Sequence, residues 1–111
     1  MENQNLQATV EHMQSEVKEL KKRLFDLMSS KERLKKRAER LESEAEDYKK
    51  KADIATSKGY LESAELARRE HKLNLKEVAE VREEITELTE EIQEVRRDKE
   101  MVKEELEGYL C

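Results

Sequence analysis

The residues that could do chemistry are few and far apart. His12 and His71 are 59 positions apart, and neither has a second ligand at a spacing that suits zinc. The chain has one cysteine, Cys111, which excludes an internal disulfide and is interpreted as a solvent-facing thiol rather than a nucleophile. Asp and Glu are numerous but fall on solvated helix faces, and there is no glycine-rich phosphate loop. The sequence therefore predicts no enzymatic activity, no cofactor and no metal.

A basic run between residues 31 and 40 could bind phosphate groups. No aromatic residue interleaves with it for base stacking, and the whole chain carries a net charge of −5. We interpret the run as the solvated flank of a helix, with nucleic acid or an anionic lipid surface as alternative partners. Its cations are Lys31, Arg33, Lys35, Lys36, Arg37 and Arg40.

The composition predicts the elements that hold these residues. Charged residues make up 46% of the 111 positions and hydrophobic residues 35%, with two glycines and no proline. Such a composition is typical of a long helix or coiled coil. Apolar residues recur at alternating steps of four and three from Leu6 to Ala55, interrupted only by Lys31. A second such stripe runs from Ala64 to Tyr109, with His71, Asn74 and Lys99 at three of its positions. These heptads predict two helices, over about residues 4–57 and 61–109.

The two heptad frames are out of phase by five residues, so one unbroken stripe cannot join them. The break falls at Lys58, Gly59 and Tyr60, and glycine favours the left-handed backbone that ends a helix. The apolar residues occupy heptad positions a and d, with a at Val10 and Ala64. If the chain folds back at the break, residues whose numbers add to 119 lie opposite each other, and every position a of one helix then faces a position d of the other. The fold-back also places residues 18–40, with a net charge of +6, beside residues 79–101, with a net charge of −5.

The sequence therefore predicts an all-α fold, a long two-helix antiparallel coiled-coil hairpin that forms a single domain over residues 1–111. One alternative is a continuous helix through Gly59 that forms a parallel dimerisation segment of a structural coiled-coil protein. A second apolar strip, outside the heptad seam, predicts that hairpins associate into homo-oligomers. Its members near the turn are Ile54, Leu61, Leu66, Leu73 and Leu75.

The turn region also carries a sequence pattern. From Tyr48 it has an aromatic residue, then Lys-Ala-acid-aliphatic-Ala, a further lysine, and two alanines three positions apart. This pattern resembles the hairpin tip of the phage shock protein A family, which includes the vesicle-inducing protein in plastids and belongs to the ESCRT-III superfamily. The likeness places five residues at that tip: Ala52, Ala55, Lys58, Ala64 and Ala67.

The resemblance covers the helical hairpin of that family alone. Residues 1–8 are largely polar, where the family has an amphipathic membrane helix. The likeness implies a stress-response scaffold that works by assembly, with itself, an AAA+ transcription activator or an anionic membrane surface as partners. It also implies a cytoplasmic location, peripheral to the inner face of a membrane.

Overall fold

The computed structural model describes residues 2–110, with side chains from residue 5 onward, and contains two α-helices. Helix α1 spans Glu2–Ser57 and helix α2 spans Leu61–Leu110. Both are built from strong helix formers and contain no proline. The observed bounds lie within two residues of those predicted from the heptads, and the fold class, an all-α antiparallel hairpin, is confirmed.

The turn between the helices is a Schellman motif. Gly59 has a φ of 77°, in the left-handed region. The Tyr60 N–H donates to the Ala55 carbonyl at 2.8 Å, and the Gly59 N–H donates to the Thr56 carbonyl at 3.1 Å. These two bonds satisfy carbonyls that the end of α1 leaves without helical partners. The predicted break at Gly59 is therefore a real helix end, and the alternative of one continuous helix is wrong.

The described residues divide into two packing units. The turn unit comprises Glu32–Thr86, and the terminal unit comprises the residues up to Lys31 together with those from Glu87 onward. Each unit contains a length of α1 and a length of α2.

A small apolar core lies in the turn unit. Four of its residues are buried and two more pack against them, and the residue numbers pair at a sum of 119 across the helices. This is the register predicted from the heptads. The pairs that this sum places opposite each other are Leu41 and Val78, Ala38 and Val81, and Leu34 and Ile85, and all six residues belong to the one cluster.

Side chains that flank this seam support the same register. Arg82 forms an ion pair with Glu42, and the Arg68 guanidinium donates to the Thr56 hydroxyl at 2.7 Å. All four residues are at heptad position e, and e positions face each other along one flank of an antiparallel pair. When seam residues pair at a sum of 119, the e positions that face each other have numbers that add to 124, as both of these pairs do.

The seam of the terminal unit has its own buried residues, Val17, Ile92 and Val95. The Arg23 guanidinium donates to the Glu91 carboxylate at 2.8 Å. Arg23 and Glu91 are both at heptad position g, and g positions face each other along the other flank of the pair. Their numbers add to 114, the sum expected for g positions when seam residues pair at 119, so this unit has the predicted register too. On the opposite flank, the Arg96 guanidinium lies 3.8 Å from the Met28 sulfur.

Candidate association surface

The alanines that resemble a family tip lie in the seam of the turn unit. Ala52, Ala55 and Ala64 are buried and Ala67 is half-buried, whereas Lys58 is exposed beside Gly59. Small side chains let two helices approach closely but bury little apolar area. These alanines therefore position the turn and are not themselves available for binding.

Two polar residues sit in the same seam. The His71 ring nitrogen Nδ1 lies 2.8 Å from the Ala45 carbonyl oxygen, so a proton on Nδ1 makes this a hydrogen bond. The Asn74 amide nitrogen is buried without a hydrogen-bond partner. An unpaired buried donor costs about 1–3 kcal/mol, so this part of the seam is weaker than the core around Leu41.

The two histidines do not come together in a site within the described residues. The other histidine, His12, lies 4.0 Å from Glu16 on an exposed helix face. No group of three or more His, Cys, Asp or Glu within this part of the chain is placed to hold a metal ion. Cys111 lies outside the described residues.

The basic run does not form one surface. Lys31 is half-buried and belongs to the terminal unit, whereas the other five cations are exposed in the turn unit. Arg40 lies 3.9 Å from Glu44 one helical turn away. At 100° per residue, Lys35 points to a different side of α1 from Lys36 and Arg40.

The five apolar residues predicted to form an association strip are all exposed, but they occupy two faces. A helix turns by about 100° per residue, which places Leu61 and Leu75 on the side of α2 opposite Leu66 and Leu73. Ile54 on α1 has the same heptad position, c, as Leu66 and Leu73. Equivalent positions of an antiparallel pair lie on one flank, so these three residues form the c flank of the turn unit.

Ile54 has three lysines close to it in the chain. Lys50 and Lys51, four and three positions before it, share one face of α1 with it. Lys58 is the first residue after α1, and its N–H donates to the Ile54 carbonyl at 3.1 Å. Ile54 is 55% exposed. The Lys51 ammonium lies 5.3 Å from the centre of the Tyr48 ring, a contact that leaves its charge in place. We call this group of four residues the Ile54 knob.

A groove of about 450 Å³ opens on the flank of the terminal unit. Its apolar lining comes from Leu20, Met101 and Val102, and Met101 is 61% exposed. Four carboxylates surround this lining, and the one cation among the lining residues, Arg23, is already bonded to Glu91. We call this the acidic groove. Its carboxylates belong to Glu16, Glu19, Asp98 and Glu105.

Sequence reasoning missed both the knob and the groove. The heptad assignment separates seam from surface, but it does not show where carboxylates from two helices surround an exposed methionine. The signal for the knob was present, since Ile54 stands among lysines at helical spacing.

No family model, curated protein or solved structure matches this chain. Neither helix, within the described residues, has a stretch long and apolar enough to cross a membrane.

Proposed function

We propose that the chain is a non-enzymatic scaffold hairpin that works by associating with copies of itself. The observation that supports this is the c flank of the turn unit. Ile54, Leu66 and Leu73 are each more than half exposed, although the fold has a seam in which apolar residues can be buried. Exposed apolar residues gathered on one face are typical of a contact surface.

The stability of an isolated two-helix hairpin supports the same proposal. Each helix buries one stripe, and in the turn unit much of that stripe is alanine, which contributes little apolar area. Ordering each backbone residue costs about 1–2 kcal/mol. Association would bury further apolar area without a larger core in each chain.

Sedimentation equilibrium tests this function. We expect the average mass to rise between about 1 μM and about 1 mM, the range in which weak to moderate complexes dissociate. A monomer mass throughout this range would contradict the proposal.

Paired substitutions identify the face that associates. Leu66→Glu with Leu73→Glu should shift association to higher protein concentration, because a charged side chain on the c flank would have to be desolvated. Leu61→Glu with Leu75→Glu is the matched control, since it adds the same charge to the opposite side of α2. Equal loss in both variants would show a general effect of charge instead of a specific face.

From the resemblance to the phage shock protein A family we propose two further partners, an AAA+ transcription activator and the anionic cytoplasmic face of a membrane. The Ile54 knob favours the second, because an apolar residue among lysines suits an anionic interface. Flotation with phosphatidylglycerol vesicles at low salt tests it. Absence of flotation would argue against a membrane role for this chain.

A further inference from the structure

The acidic groove has the chemistry to hold a basic residue cluster with an apolar centre. Its apolar floor is partly open to solvent, and four carboxylates stand around it. The only cation among its lining residues donates to Glu91 and is therefore occupied. An occupant that places an aliphatic side chain on the floor and ammonium groups at the rim would satisfy both parts.

The Ile54 knob is such an occupant. It presents one aliphatic side chain with three lysines close to it in the chain, and all four residues are exposed. The surrounding sequence has the same sign, since residues 48–76 contain eight Lys or Arg against four Asp or Glu. The side chains described in the terminal unit, residues 5–31 and 87–110, have the opposite balance, with thirteen Asp or Glu and nine Lys or Arg.

We propose that the Ile54 knob of one copy docks in the acidic groove of a second copy. This inference rests on the proposed self-association and assigns a binding surface to Ile54, the member of the c flank that lies on α1. Ile54 would contact Met101 and Leu20, and the lysines would pair with the carboxylates of the rim. The two surfaces are different, so the contact is heterologous, and each copy can bind one neighbour by its knob and another by its groove.

A second copy fits these observations better than a lipid surface. Anionic lipid would satisfy the lysines of the knob, but it would be repelled by the carboxylates of the groove. A second copy satisfies both surfaces with charges that the chain already contains. Electrostatic complementarity of this kind selects a partner and its orientation.

Charge reversals at each surface test the contact. The groove variant combines Glu16→Lys with Glu105→Lys, and the knob variant combines Lys50→Glu with Lys58→Glu. All four positions are exposed or half-exposed, and circular dichroism should show wild-type helicity in both variants. In sedimentation equilibrium we expect each variant alone to associate at least tenfold more weakly than the wild type, because like charges then meet across the contact.

Mixing the two variants gives the sharper result. In an equimolar mixture, the intact knob of the groove variant meets the intact groove of the knob variant, and the two reversed surfaces also meet with opposite signs. The mixture should therefore associate at lower protein concentration than either variant alone. The chain that carries all four reversals should associate more strongly than either double variant, because the reversed positions of its knob and groove again have opposite charges. Added salt should weaken wild-type association.

The failures separate the two proposals. If the wild type associates but neither variant changes its association, the knob-to-groove contact is wrong and the scaffold function stands. If the wild type stays monomeric, both proposals are wrong. If the wild type is monomeric and binds phosphatidylglycerol vesicles through the knob alone, the occupant is lipid and the contact between copies is overturned.

Discussion

The two glycines of this chain should respond to alanine in opposite directions. Gly59 has a φ of 77°, and a Cβ placed there meets no atom within 4 Å. The cost of Gly59→Ala is therefore backbone strain without a steric clash. An L-residue in the left-handed region costs about 1–2 kcal/mol, so we expect Gly59→Ala to lower the free energy of unfolding by that amount.

Gly108 provides the matched control. It lies within α2, where a Cβ likewise meets nothing within 4 Å. Alanine is favoured over glycine inside a helix by about 0.5–1 kcal/mol, and Gly108→Ala should therefore stabilise the chain by up to that amount. The two variants add the same methyl group in open space, so the difference in sign reports backbone conformation alone.

Thermal and urea unfolding followed by circular dichroism measure the difference. One kcal/mol shifts the melting temperature of a small domain by about 4–8 °C, so both shifts are measurable. A synthetic chain with D-alanine at position 59 should be at least as stable as the wild type, since D-residues favour positive φ. If L-alanine at position 59 stabilised the chain as it does at position 108, Gly59 would be helical and the hairpin turn would be refuted.

Three further comparisons test the packing and capping of the turn unit. Leu41→Ala should destabilise the chain by about 2–5 kcal/mol, because the side chain is only 5% exposed in the turn-unit core, whereas Leu75→Ala on the surface should change it by under about 0.5 kcal/mol. Asn74→Ala should raise the unfolding free energy by about 1 kcal/mol, because it removes a buried donor that has no partner. Tyr60→Ser should stabilise α2 by about 1 kcal/mol relative to Tyr60→Ala, since serine at the residue before Leu61 can cap free backbone N–H groups.

Each of these outcomes is measured by urea unfolding at a protein concentration below that of association. A loss of stability in Asn74→Ala would show that the amide has a partner. Equal stability of the serine and alanine variants at position 60 would show that the first turn of α2 is already satisfied. Similar losses at positions 41 and 75 would contradict the assigned seam.

The hairpin could be predicted from the sequence because two features of the heptad pattern determine it. The heptads fix which residues face the partner helix, and the phase break at Gly59 fixes where the chain reverses. Pairing a with d across the break then leaves one register with room for a turn. The residue numbers of the contacts Arg23–Glu91 and Thr56–Arg68 add to 114 and 124, the sums that this register predicts for the two flanks of the seam.

The candidate surfaces could be predicted less well, because exposure is not determined by the heptad alone. Leu61 and Leu66 share the property of lying outside the seam, and the sequence reasoning joined them into one strip. A five-residue step turns a helix by about 140°, which places them on different faces. The acidic groove combines residues from chain positions about 80 apart, Leu20 and Met101, so no local pattern reveals it.

Charge on this chain exceeds what pairing within the hairpin requires. A hairpin stabilised only by its own ion pairs needs opposite charges in equal number across each length of seam. The terminal unit instead has a surplus of carboxylates, and residues 48–76 have a surplus of cations. The carboxylate surplus of the terminal unit is not neutralised within that unit, whereas the turn unit as a whole contains fourteen cations and fourteen carboxylates, so the cations of residues 48–76 are offset by acidic residues before and after them. A contact between residues 48–76 of one copy and the terminal unit of another would place the two local surpluses, which have opposite signs, beside each other.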